Sequence, residues 1–225
     1  LIAGLGQYGK EMLKTLTWFC QMDGYRVYID AFDKDKYVED RITAECPELV
    51  SERYNGIFGK GDAEYKITIH AGIDVYTSTF NKIVEKIEDT TFIFTALGND
   101  SENVKVATRL RVLMEQMGRH PHITTIVKDS HVNKGLQNIH NFKGQEYDID
   151  FIGALDQMYS EKAIIGSDLE REALKRHLKW GDEDDFWKYE YNYQSSIATT
   201  IHTKMKKYCG ISGAGKREEE LTVKE

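Results

Sequence analysis

Leu1-Ile2-Ala3-Gly4-Leu5-Gly6-Gln7-Tyr8-Gly9 decides how the rest of the chain is read. Three apolar residues run into a G-x-G-x-x-G turn, and an amphipathic stretch follows at once. Each glycine in such a turn has its own physical task. The first lets the chain turn sharply from strand to helix, the second lets a pyrophosphate reach the backbone, and the third lets helix and strand pack closely. The helix then offers unpaired N–H groups and a positive dipole end to an anion. Leu1 falls at the end of a strand, so the sequence reads as part of a longer chain.

Outward from the turn, the spacing predicts a helix over 8–22, with Met12, Leu16 and Phe19 on its buried face, stopped by Asp23-Gly24. A β-rich run over 25–32 ends in Asp33 and completes a βαβ unit. Further strands are predicted over 66–70, 91–97, 123–127 and 148–152. Helices are predicted over 37–49, over 77–88 capped by Ser78 or Thr77, and from a cap at Ser101 or Asp100 to about Met117 along Val104, Ala107, Leu110 and Met114. The run 91–97 is nearly all apolar, as in a parallel strand buried on both faces. Strands alternating with helices predict an α/β, Rossmann-like, doubly wound and mostly parallel sheet over residues 1–155.

Beyond Gly153 the pattern turns helical. Helices are predicted over 169–180 and 186–208, the second with Tyr193, Ile197, Ile201 and Met205 in one row. This gives a small helical module over 160–211 and a frayed tail over 212–225. Trp180, Phe186, Trp187, Tyr189, Tyr191 and Tyr193 crowd the junction and read as core between two helices, with stacking of a planar ligand as the minority reading.

The acid after the second strand sets the ligand chemistry. The Asp33 carboxylate is placed to accept the ribose hydroxyls of an adenosine and to repel a 2′-phosphate, which favours NAD or a related unphosphorylated adenine nucleotide. Asp30 is the second choice. Lys34 and Lys36 soften the discrimination against NADP. A net charge of −7 with dispersed basic residues argues against nucleic acid. Three cysteines, Cys20, Cys46 and Cys209, without a C-x-x-C pair fit a reducing, cytoplasmic setting rather than a disulfide framework or cysteine zinc site.

Other features carry less. Gly210-Ile211-Ser212-Gly213-Ala214-Gly215-Lys216 has P-loop spacing up to its lysine, but Arg217 stands where a magnesium-binding hydroxyl belongs and no apolar strand precedes it. His120-Pro121-His122 lacks a third metal ligand. His177 and His202 read as satisfied structural histidines.

The glycine turn, the acid ending the second strand and Thr95-Ala96-Leu97-Gly98-Asn99-Asp100-Ser101-Glu102-Asn103 together resemble the TrkA-N (RCK) nucleotide-binding domain of potassium-transport regulators. Asp100 and Asn103 match that family's D-x-x-N helix start. The resemblance covers roughly residues 1–155. It implies a nucleotide site over Gly4, Leu5, Gly6, Gln7, Tyr8, Gly9, Asp33, Lys34, Ala96, Leu97, Gly98, Asp100 and Asn103. Ala71-Gly72-Ile73-Asp74 stands where the family has Gly-Asp-Ala, with Asp74 as an adenine contact; the literal Gly61-Asp62-Ala63 falls ahead of the third strand. A homodimer and a membrane-transport or other effector partner are also implied.

His177, the stretch 191–198 and His202-Thr203-Lys204-Met205-Lys206 are similar to the small RyR domain, over about 165–211, although the proline-containing middle section of that family is missing. This second resemblance implies a ligand-sensing or interaction module. The functional expectation is therefore a nucleotide-binding sensor without catalysis of its own. The alternatives are an NAD-dependent oxidoreductase with residues 160–210 as a substrate cap, or a domain that only binds a structural partner.

Overall fold

The structure, a computed structural model, describes residues 1–20, 26–50, 65–142, 149–158 and 167–208. The Asp23-Gly24 stop, Gly61-Asp62-Ala63, Cys209, the P-loop-like segment, the tail and residues 159–166 at the predicted module boundary lie outside them.

Six strands form one sheet: β1 (Ile2–Ala3), β2 (Val27–Asp33), β3 (Tyr65–Ala71), β4 (Phe92–Thr95), β5 (His122–Ile126) and β6 (Ile149–Ile152). All pairs are parallel, and the order is β3-β2-β1-β4-β5-β6. The chain thus winds outward from β1 in one direction and restarts at β4 in the other, which leaves a crevice at the carboxyl ends of β1 and β4. The sheet is an α/β, Rossmann-like arrangement.

Alternation along the strands fills two cores. Ala3, Phe32, Ile93 and Ile123 face one side and meet Phe80 and Val84 of α4 (Ser78–Lys86) with Val106, Leu110 and Met114 of α5 (Asp100–Gln116). Ile2, Ile29, Ala31 and Phe94 face the other and meet Leu13 of α1 (Gln7–Phe19), Val38 and Ile42 of α2 (Val38–Glu45), and Leu49 of α3 (Pro47–Val50). Both faces are apolar because both are covered. Helices α6 (Ser130–Phe142) and α7 (Leu155–Met158) flank β6.

Two buried faces differ from expectation. Among the described side chains of α1 the fully buried positions are Gly9, Leu13 and Thr17, with Met12 and Leu16 half-buried; the Phe19 side chain of the predicted face lies outside them. The close approach of helix to sheet at Gly9 turns the row Gly9, Leu13 and Thr17, rather than Met12 and Leu16, onto the sheet. On α5 the buried stripe begins with a polar residue, Asn103, and runs through Val106 and Ala107; Val104 is only half-buried. The cap of α5 is Asn99, whose side chain accepts from Glu102 N–H, rather than Ser101 or Asp100; Thr77 caps α4 as expected.

The helical module contains α8 (Asp168–His177), α9 (Glu183–Lys188) and α10 (Glu190–Tyr208). The predicted 186–208 helix is broken at Tyr189, where the backbone is extended. Ser167 opens α8 with a complete capping box to Glu170. Small residues make the α8–α10 contact close: Ala173 and His177 are buried on α8, Ser196 and Thr200 on α10, and the predicted Tyr193–Met205 row is only half-buried. The module leans on the sheet domain where α10 touches α1.

The Tyr193 hydroxyl donates to Glu170 Oε1 at 2.7 Å and ties α10 to the start of α8. Burial, and then this bond to a carboxylate, push the Tyr193 phenol up to about 12. An unfolded tyrosine ionises near 10. The tie is therefore intact below pH 10 and its contribution is lost as pH rises through about 12. A phenolate absorbance titration should show Tyr193 lagging most of the 13 tyrosines, and Tyr193→Phe should shrink the late step by one tyrosine. Completion of all ionisation near pH 10 would contradict the geometry.

Candidate functional site

At the carboxyl edge of the sheet, the β1–α1 turn, the end of β2, the loop after β3, the loop after β4 and Lys128, two residues past β5, enclose a cleft of about 400 Å³. That lies within the range of small-ligand pockets.

The glycine turn forms its floor. Gly4 has a φ of +95°, and a Cβ there would stand 2.4 Å from the Ala96 carbonyl oxygen. Gly9 passes so close to β1 that a Cβ would stand 1.8 Å from the Gly4 carbonyl oxygen. Gly6 differs from both: its φ is −66°, and a Cβ there would meet nothing within 4 Å. The fold requires the first and third glycines of the motif and makes no demand on the second.

Gly6 is also the N-cap of α1, without a side-chain cap and without an acid in the first turn. The N–H groups of Gly6, Gln7, Tyr8 and Gly9 are the donors a helix start leaves without intrahelical acceptors. The other helix starts with described caps carry compensation: Thr77, Asn99, Ser167 and Asp182 as caps, and Glu39 with Asp40 in the first turn of α2.

Asp33, at the end of β2, lines the cleft. Its Oδ2 accepts from Leu5 N–H at 2.7 Å and its Oδ1 from Asp35 N–H at 2.9 Å. These bonds aim the carboxylate along the cleft, and each oxygen keeps a second lone pair for an incoming hydroxyl. Lys34 and Asp74 line the same wall; Asp74 Oδ1 accepts from Tyr76 N–H at 2.8 Å, which shapes the loop after β3. Asp30 is absent from the lining and pairs instead with His70 Nε2 at 2.7 Å.

The predicted residues divide into two groups. Gly4, Gly6, Gln7, Tyr8, Asp33, Lys34, Asp74, Ala96, Leu97 and Gly98 come together around the cleft. Leu5 sends its side chain into the core, and Gly9 is packed beneath the turn. Asp100 and Asn103 stand behind the lining. Asp100 Oδ2 accepts from the N–H groups of Lys128 at 2.9 Å and Asp129 at 2.8 Å. Buried Asn103 accepts from Leu97 N–H through Oδ1 and donates from Nδ2 to the Ile126 carbonyl at 2.9 Å. Both side chains fasten the end of β4 to that of β5.

Several lining residues escape the motif-based reading: Phe32, Ile73, Val75, Tyr76, Glu102 and Lys128. Lys128 follows the apolar β5 run directly, which marks it as a carboxyl-end residue of a parallel strand. Its Nζ lies 5.1 Å from the centre of the Tyr8 ring, and it has no ion pair among the described residues. Tyr76 donates to Glu102, and its ring is flanked by Lys105 at 4.8 Å and Arg109 at 5.0 Å. Partial burial, then the Glu102 bond, push the Tyr76 phenol up to about 12. No sequence signal links Tyr76 to Glu102, because they meet only through the fold.

Among the described residues no three His, Cys, Asp or Glu side chains gather as metal ligands, and no helix is long and apolar enough to cross a membrane. Comparison with protein-family models, with curated proteins and with solved structures gives no match to this chain.

Proposed function

We propose that the chain is a nucleotide-binding regulatory module that holds NAD or a related adenine nucleotide in the cleft and has no catalysis of its own. The observation that carries this reading is Gly6. It stands at an ordinary φ with open space where a side chain would be, at the one compensation-free helix start among those with described caps. Packing gives no reason for a glycine there; a phosphate seated on the α1 N-terminus does. Asp33 would take the ribose hydroxyls, the apolar Ile73, Val75 and Leu97 the base, and Lys128 would add positive charge opposite the turn.

The resemblance to TrkA-N domains and to the RyR module favours a sensor over a dehydrogenase and suggests a homodimer acting on a potassium-transport or other effector. An oxidoreductase reading needs a substrate-dependent change in reduced-cofactor absorbance, which this reading expects to be absent.

Gly6→Asp separates site from scaffold. Aspartate is a good N-cap, so stability should hold or rise by about 0.5 kcal/mol, while its carboxylate occupies the phosphate position. Native mass spectrometry of freshly purified protein should show a retained nucleotide, and calorimetry with NAD, NADH and ADP should show binding to the wild type and none to Gly6→Asp. Equal affinity in the two proteins would overturn the proposal.

A further inference from the structure

The aromatic cluster of the helical module does not form the closed core that its spacing suggests. Phe186 is fully buried, but Trp180 is 61% exposed, Trp187 54%, Tyr189 48% and Tyr191 78%. Trp180, Phe186, Trp187 and Tyr193 are nevertheless joined through His177 in a connected row. His177 meets Trp180 at 4.1 Å and Phe186 at 5.4 Å; Phe186 meets Trp187 at 4.7 Å; Trp187 meets Tyr193 at 6.0 Å. His177 is fully buried, with Nδ1 3.5 Å from Ser196 Oγ and no partner for Nε2. Gly181 lies over that nitrogen, where a Cβ would be 2.5 Å away. The interior of the row is thus fixed, its outer rings Trp180 and Trp187 stand in solvent, and Tyr189 and Tyr191 are exposed beside it in the chain. Contiguous exposed aromatics of this kind mark interaction surfaces.

The charge around the row selects the partner. Between Trp180 and Tyr191 stand Asp182, Glu183, Asp184, Asp185 and Glu190 against one cation, Lys188. Asp182 is used as the α9 cap, and an acid or two in the first turn suits the helix dipole. That accounts for part of the charge only. None of the five carboxylates forms an ion pair among the described residues; Glu183 and Asp184 are exposed. Lys188 Nζ already sits 5.1 Å from the centre of the Tyr189 ring, which shows that a cation suits this surface. The basic residues Lys175 and Arg176 in the last turn of α8, and Lys179 beyond its end, precede Trp180, and the run of acids follows it.

We propose that the face formed by α9 and the segments on either side of it, Trp180 to Tyr191, is a docking site for an extended lysine- and arginine-rich peptide segment of a partner protein. Its cationic heads lie over the Trp187, Tyr189 and Tyr191 rings and pair with Glu183 and Asp184. This inference is independent of the nucleotide site.

The test is fluorescence anisotropy of labelled hexa-arginine and hexa-glutamate peptides with the full chain. Hexa-arginine should bind with an affinity that weakens as salt is raised, since exposed charges are screened; hexa-glutamate should not bind. Trp187→Ala should weaken binding about tenfold, and Trp187→Phe should keep most of it. Glu183→Gln with Asp184→Asn should weaken it severalfold more than the equal charge change Glu39→Gln with Asp40→Asn on α2. Circular dichroism checks that each variant is folded. Equal effects of the two charge-neutralised pairs would reduce the binding to the net charge of the chain and overturn the proposal. So would the absence of arginine binding, or concentration-dependent self-association that buries these rings against a second copy.

Discussion

Gly9→Ala is expected to unfold a large part of this protein's stability margin. The added methyl would stand 1.8 Å from a backbone oxygen, where ordinary contact begins near 3.4 Å. Gly4 cannot give way, because it is pressed against the Ala96 carbonyl in its own strained-for-others conformation. Helix α1 would have to retreat by roughly 1.6 Å, and Leu13 and Thr17 would leave their places against the sheet. Overpacking of this kind costs about 3 kcal/mol or more, against a typical total of about 5–15 kcal/mol. A urea melt should show a lowered midpoint at similar slope, with nucleotide binding lost as a consequence. An unchanged midpoint would contradict the close approach of α1 to β1. Set beside Gly6→Asp, the two substitutions pull apart what one motif combines.

The second large effect is expected at Asn103. It is 1% exposed and satisfies two backbone groups from two strand ends, Leu97 N–H and the Ile126 carbonyl. Asn103→Ala leaves the buried Ile126 carbonyl and the half-buried Leu97 N–H without partners, at about 1–3 kcal/mol each with the second toward the low end, and adds a void. The expected loss is about 4 kcal/mol. Asn103→Asp should be no better, because a carboxylate would face the Ile126 carbonyl where an amide donated. The decisive comparison is made without nucleotide. A residue that only touched a ligand would leave the ligand-free melt unchanged, whereas this one should lower it and speed hydrogen exchange at the Leu97 amide. An unchanged ligand-free melt would restore Asn103 as a direct contact.

Much of the sheet was legible because burial on two faces leaves a plain trace. The apolar runs around Phe92–Thr95 and His122–Ile126, and the alternation of strand and helix, suffice for a parallel sheet. Gly4, Gly6, Gly9 and Asp33 were legible because a strand-turn-helix corner constrains them locally. What was not legible depends on distant parts meeting. Lys128 reaches the cleft only because β5 pairs with β4, and Tyr76 finds Glu102 only across the space between α4 and α5. Asp100 and Asn103 had the right spacing for the rim but the wrong direction, since the strand ends behind them offered unpaired backbone groups. The exposed aromatics of the helical module mislead any reading by spacing: period reports which residues share a face and says nothing of whether that face is covered.

Helix α1 presents its N-terminus to the cleft and its flank to α10. Were the proposed nucleotide to prefer one seating of α1, the contact with α10 would pass that preference to the helices behind it. Thermodynamic reciprocity runs the same way in reverse: whatever engages residues 168–208 must change the affinity of the cleft by the factor with which the nucleotide changes theirs.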